Sequence, residues 1–255
     1  MNRVALAWVG HFGREKVTRL SIKACMLIVA LGLTPQVGAD VRLAPWSEGV
    51  FAQIEREHGP AAAQRMRTIY ALVQANRDRP LEEKLRLAND TLNELPWIAD
   101  REKYSTDDYW ATPFETLTTF GGDCEDMAIG KLVMLRLMGV PKESLQLGYV
   151  KVKKTGEIHM VLVWVSEDRT ETLVLDNLVK QIMPGKARTD LLAVYLADPD
   201  GNVTLISDDG KQRSVKGVVP KTKMEKLQKV RQRMAANQAK YVEYNEGKPL
   251  FIEVR

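Results

Sequence analysis

The segment Gly121-Gly122-Asp123-Cys124-Glu125-Asp126 places one thiol among three carboxylates, directly ahead of an apolar stretch, Met127 to Met138, that ends at Gly139-Val140-Pro141. The punctuation is that of a helix. Asp123 suits the N-cap, Asp126 stands three positions on where a capping-box acid falls, and Gly139 suits the left-handed residue that closes the last turn. Cys124 then takes the first helical position, where free backbone N–H groups and the positive end of the macrodipole favour thiolate over thiol. The adjacent carboxylates push the other way, because nearby negative charge raises a thiol pKa, and a bound cation would resolve the conflict.

A nucleophilic thiol needs a base. Beyond residue 39 the chain has two histidines, His58 and His159. His58 precedes Gly59-Pro60 and reads as a helix-end or surface residue. His159 begins the strand pattern Met160–Val165; Ser166–Arg169 turns the chain and Glu171–Asp176 returns. A two-residue turn at Glu167-Asp168 would give paired residues a constant index sum of 335, placing Asp176 directly opposite His159, where its carboxylate orients the imidazole. Singly, each residue has a structural explanation: a small buried thiol, a core histidine, a turn aspartate. Together they specify a Cys124, His159, Asp176 site for covalent catalysis.

The acids beside Cys124 carry two readings. Asp123 and Asp126 serve as caps and Glu125 as a first-turn charge, or the three supply hard oxygen ligands suited to calcium. One cysteine and two scattered histidines give no zinc spacing, and Asp198-Pro199-Asp200-Gly201 falls short of a calcium hand loop. Glycine-rich dinucleotide and phosphate-binding loops are absent.

The elements that must position these residues fall into two kinds. Ser47 opens a helix to about His58, Pro60 a second to about Asn76, and Pro80 a third with Leu81, Leu85, Ala88 and Leu92 on one face. From residue 146 to 206 short β-branched runs alternate with turn signals, the pattern of an antiparallel sheet. A polar helix follows over residues 221–243, and residues 249–253 suit a terminal strand or tail. Helices followed by strands predict an α+β domain, with a helical N-terminal lobe, spanning residues 40–255. The chain of 255 residues, 45% apolar and 27% charged, is long enough for a substantial core. Residues 1–39 read as a signal peptide: basic residues to Lys23, a short apolar run from Ala24 to Leu33, and Val37-Gly38-Ala39 before the expected cut. Retention as an anchor is the alternative. The leader holds five basic residues and one acid, so the remaining chain balances 32 against 32 and lacks the footprint of a nucleic-acid binder. Export is expected to be periplasmic, leaving Cys124 the only thiol in an oxidising compartment.

Five ordered motifs, Asp108-Tyr109-Trp110-Ala111-Thr112-Pro113, Gly121–Asp126, Gly139–Pro141, His159–Leu162 and Leu173–Leu178, resemble those of the bacterial transglutaminase-like cysteine proteinases. The resemblance covers about residues 45–210. It implies a papain/transglutaminase-like fold with Cys124 as nucleophile, His159 as base and acid, and Asp176 as orienter. It also implies Ca2+ at Asp123, Glu125 and Asp126, with Asp108 a further donor and the Trp110 indole a second oxyanion donor. The implied substrate is the N-terminal region of a large surface adhesin, whose release promotes biofilm dispersal. The implied inhibitory partner is an inner-membrane cyclic di-GMP receptor. Met127 and Gly130 depart from the tyrosine and alanine expected of the family. Acyl transfer to an amine by the same residues, or a non-catalytic calcium-dependent binding module, are the competing functions.

Overall fold

Gly59 and Pro60 interrupt the helical pattern as the sequence predicts, and α1 (Glu48–His58) gives way at once to α2 (Pro60–Asn76), with α3 (Leu81–Asn93) behind Pro80. The computed structural model describes residues 40–200, 202–206, 212–214 and 221–254. The signal-peptide expectation for residues 1–39 lies outside them. Two short helices not expected from the sequence, α4 (Asp100–Tyr104) and α5 (Pro113–Thr118), lead to α6 (Cys124–Leu137), and α7 (Lys221–Val242) closes the helical set. The start of α5 is a reciprocal capping box between Thr112 and Glu115. α6 ends in a Schellman motif: Gly139 has φ 81°, its N–H donates to the Arg136 carbonyl, and Val140 N–H donates to the Leu135 carbonyl.

The strands form an antiparallel, seven-stranded sheet. β2 (Leu145–Val152), β3 (Ile158–Val165), β4 (Thr172–Leu175), β5 (Met183–Pro184), β6 (Leu191–Ala197), β7 (Val203–Ile206) and β8 (Gln212–Ser214) lie in the order β5-β4-β3-β2-β6-β7-β8. A separate ribbon pairs β1 (Asp40–Leu43) with β9 (Phe251–Val254). The result is α+β with a helical N-terminal lobe, consistent with a transglutaminase-like fold. Among the described residues, no helix is long and apolar enough to cross a membrane.

α6 is buried on nearly every side. Leu145, Leu147, Met160, Leu162 and Leu175 from the sheet, and Leu85, Ala88 and Leu92 from α3, share its core. Gly130 permits the approach of α3: a Cβ there would lie 2.6 Å from Leu92 Cδ1. That contact explains a glycine whose helix propensity is about 1 kcal/mol poorer than alanine's.

The β3–β4 register corrects the sequence expectation. The pairs Leu162↔Leu175 and Val165↔Thr172 give an index sum of 337, not 335. Ser166 N–H donates to the Glu171 carbonyl and closes a four-residue loop rather than a two-residue turn. Asp168 builds that loop, accepting from Ser166 Oγ, Thr170 Oγ1 and Thr170 N–H, while Arg169 takes the left-handed region at φ 59°. His159 is therefore not directly opposite Asp176. Both lie beyond the last β3–β4 pair, one two-residue pleat out of step.

Candidate active site

The backbone before Cys124 is held by an exchange between two loops. Gly122 N–H donates to the Pro96 carbonyl and Ile98 N–H to the Gly122 carbonyl, at 3.2 and 3.0 Å. Gly121 has φ 124°, and a Cβ on it would lie 2.5 Å from the Pro96 carbonyl oxygen, so glycine is required twice over. A Cβ on Gly122 would lie 2.4 Å from Asp126 Oδ2. The second glycine thus makes room for a carboxylate.

Cys124 begins α6 as expected, but the acids beside it do not cap the helix. Asp123 occupies the N-cap position without a side-chain cap hydrogen bond. Asp126 is fully buried and its Oδ1 accepts from Ala111 N–H at 2.7 Å. The Cys124 thiol donates to Glu125 Oε2 at 3.1 Å. Burial first, and then the charge of Glu125, push the thiol pKa up, so burial and the carboxylates together outweigh the helix end.

The chain brings a further acid into this cluster. Asp100, at the start of α4, is buried and accepts from Tyr109 N–H. Single oxygens of Asp100, Asp123 and Asp126 lie within 4.8 Å of one another, as do oxygens of Asp100, Asp108 and Glu125. Asp100 Oδ1, Asp123 Oδ1 and Asp126 Oδ2 are buried without a hydrogen-bond partner. Burial, followed by the charges of Glu125, Asp126 and Asp100, raises Asp123 to about 9. Burial with Glu125 and Asp100 raises Asp126 to about 7. Carboxylates whose oxygens converge in this way, with orphaned oxygens among them and burial that resists ionisation, fit a divalent cation of the calcium type. Nothing in the sequence around Asp100 distinguishes it from neighbouring surface charges. Asp108 is less available: Oδ1 accepts from the Trp110 indole at 2.9 Å, and Oδ2 pairs with Lys223 and Lys226 of α7 at 2.5 Å. The Trp110 N–H is thereby directed to Asp108 rather than presented as an oxyanion donor.

His159 and Asp176 meet despite the shifted register. His159 Nε2 lies 2.7 Å from Asp176 Oδ1, and both residues are buried. Asp176 Oδ1 also accepts from Leu178 N–H at 3.0 Å, and Asn93 Nδ2 donates to the Asp176 carbonyl at 2.8 Å. Burial alone would raise the Asp176 pKa, but the His159, Leu178 and Arg188 contacts hold it down to about 2. Lys131 of α6, fully buried and held down to about 7 by burial, feels the charges of Asp176 and Asp90. Arg188 and Lys131 were not evident from the sequence, since neither belongs to a motif.

Cys124, His159, Asp123 and Glu125 line one cleft of about 480 Å³ with Trp97, Trp110, Tyr149, Met160 and Lys223. Trp97, Ile158 and Leu178 stand exposed on its rim. His58 is remote in role: it packs its ring edge-on to Phe114 at the end of α1.

A sequence model of the family described as bacterial transglutaminase-like cysteine proteinase matches residues 58–190, over half of the chain. The chain belongs to this family. The transglutaminase-like proteinase is also similar in structure to LapG of Legionella pneumophila: 27% identity, TM-score 0.61, covering 75% of this chain and 99% of that one. Calcium-bound LapG from the same organism matches at 27% identity and TM-score 0.61, over 72% and 97% of the two chains. The EGTA-treated form matches at 26% and 0.62, over 75% and 100%. No curated protein matches the chain. As a LapG-type cysteine peptidase, the proteinase is an enzyme that hydrolyses peptide bonds.

Proposed function

We propose that this peptidase uses Cys124 as nucleophile, His159 as proton carrier and Asp176 as orienter, and that it requires calcium. The observation that carries the reading is that His159, which lines the same cleft as a thiol at a helix N-terminus, is held from behind by the buried Asp176 carboxylate. Because Nε2 faces Asp176, Nδ1 is the ring nitrogen left for the thiol.

Thiolate Cys124 attacks the scissile carbonyl, forming a C–S bond, and the oxyanion faces the unpaired N–H groups of the first turn of α6. Imidazolium His159 gives its proton to the leaving amine as the C–N bond breaks. His159 then takes a proton from water, which attacks the thioester, and Cys124 departs as thiolate. Asp176 holds the imidazole in one tautomer throughout. Asp100, Asp123, Glu125 and Asp126 would hold Ca2+, with Asp108 tied to Lys223 and Lys226. When bound, the ion supplies positive charge that offsets the carboxylates opposing the thiolate. The orphaned oxygens support this, and LapG has been solved with calcium.

The proposed substrate is the N-terminal region of a large surface adhesin, cut in the periplasm after export through a cleaved leader, with biofilm dispersal as the outcome. An inner-membrane cyclic di-GMP receptor is the proposed inhibitory partner. Family membership and the sequence of residues 1–39 support these assignments.

The test begins with iodoacetamide labelling of the processed protein, read by intact mass, with calcium and after chelation, beside His159→Ala. Fast labelling that needs both calcium and His159 is expected. Slow labelling indifferent to both would favour a binding module. Incubation with an adhesin N-terminal fragment then separates hydrolysis from acyl transfer, because hydrolysis adds water to the products and transfer adds the amine.

A further inference from the structure

Asp176 lies past the end of the β3–β4 ladder, so sheet pairing does not fix its carboxylate against His159. Something else must. Arg188, just after the 3-10 turn Gly185–Ala187, is buried, with its side chain only 3% exposed. Its Nη2 lies 2.8 Å from Asp176 Oδ2, the oxygen not used by His159. The contact is an ion pair off the linear hydrogen-bond direction, since Oδ2 gains no hydrogen-bond partner from it. The guanidinium is itself gripped by Asp190, which accepts from Nε at 2.9 Å and from Nη2 at 2.8 Å through its two oxygens. The backbone is pinned as well: Arg188 N–H donates to the Gly185 carbonyl and Leu191 N–H to the Arg188 carbonyl.

We propose that Arg188, clamped by Asp190, is the positioning residue that fixes the Asp176 carboxylate for His159. The inference rests on the reading of His159 and Asp176 given above. Its physical basis is the planar fork of arginine, which offers donors in a rigid plane so that one edge is anchored while Nη2 still reaches a second carboxylate. A lysine ammonium at this position keeps the charge but not the two-point geometry. Lys131 also faces Asp176 electrostatically, but its amine is held down by burial and makes no fork, so it supplies field rather than orientation.

The experiment uses the calcium-loaded protein and two readouts that need no substrate. One is proton NMR of the hydrogen-bonded imidazole N–H of His159, assigned with His159→Ala. The other is the rate of Cys124 alkylation by iodoacetamide, with thermal midpoints measured alongside. Arg188→Lys is expected to weaken or broaden the imidazole resonance and slow alkylation about ten- to hundredfold. Asp190→Asn, at a half-exposed site, loosens the clamp and gives a smaller loss in the same direction, which covers the case in which Arg188→Lys does not fold. Asp176→Asn removes the resonance, and adding Arg188→Lys to it slows alkylation no further. A merely structural arginine would lower the thermal midpoint in both backgrounds and leave the coupling at zero. Wild-type resonance and rate in folded Arg188→Lys and Asp190→Asn overturn the inference while leaving the His159–Asp176 reading intact. A wild-type rate in Asp176→Asn overturns both.

Discussion

Replacing Gly122 by alanine tests whether the acidic cluster is built by the shape of the loop before it. Gly122 does not have a positive φ, so alanine meets no backbone penalty there. The obstacle is steric. The new Cβ would lie 2.4 Å from Asp126 Oδ2, 2.7 Å from its Cβ and 3.0 Å from its Cγ. Rotating the carboxylate away does not relieve the contact with Asp126 Cβ, and the Gly122 backbone is held on both sides by Pro96 and Ile98. Asp126 must therefore shift and release Ala111 N–H. Losing a charged hydrogen bond costs about 1.5–3 kcal/mol, and forcing a methyl into a packed site about 1–3 kcal/mol. A total near 4 kcal/mol lowers the thermal midpoint of a domain this size by roughly 8–16 °C. Moving a cation-facing carboxylate weakens calcium binding by at least about 10-fold. Thermal melts and calorimetric calcium titrations of wild type and Gly122→Ala measure both quantities. Unchanged melting together with wild-type calcium affinity would refute the steric argument and the ligand assignment of Asp126.

Gly130→Ala places a methyl 2.6 Å from Leu92 Cδ1, so the propensity gain of about 1 kcal/mol is offset by overpacking of about 1–3 kcal/mol, and urea titration should show a small net loss that Leu92→Val reverses. His159→Ala removes the proton carrier and should lower peptide cleavage about 10²–10⁴-fold without changing the fold by circular dichroism. Lys131 is held down to about 7, so between pH 7 and its ordinary value of 10.5 the unfolded chain binds the extra proton and stability rises with pH. Lys131→Met should flatten that rise and add up to about 4–5 kcal/mol at pH 7, measured by urea unfolding at pH 7 and about pH 10. Chelating calcium should lower the thermal midpoint, because an ion bound only by the folded state at 1,000 times its Kd contributes about 4 kcal/mol.

Elements with strong local punctuation were legible in the sequence. The bounds of α1 and α2 follow from Ser47, Gly59 and Pro60, and the end of α6 follows from Gly139, because caps act within one turn. Ser47 nonetheless turns its hydroxyl to the Tyr244 carbonyl rather than to its own helix, a long-range partner that no local pattern announces. The loop between β3 and β4 departs from the two-residue turn that strand symmetry implies, because the side chain of Asp168 organises a longer one. His159 and Asp176 still meet, because the expected and observed index sums share parity, which keeps the residues on one face. Asp100 and Arg188 were invisible, since each acquires its role only from tertiary contacts that bury a charge among other charges.

The β1–β9 ribbon has a consequence in time rather than in space. Leu43 pairs with Phe251, Ala44 N–H donates to the Leu250 carbonyl, and Ser47 N–H donates to Asn245 Oδ1. Leu250 and Tyr241 complete the core formed by Val50, Phe51 and Ile54 of α1. A chain emerging N-terminus first, from a ribosome or across a membrane, can assemble α6 and the central strands early. Its first helix stays unlatched until residues 241–251 arrive. Seating of α1 is thus tied to delivery of residues 241–251, and a chain truncated before Leu250 would lack the contacts that hold this helix, while α6 and β3, which carry Cys124 and His159, pack in a separate core.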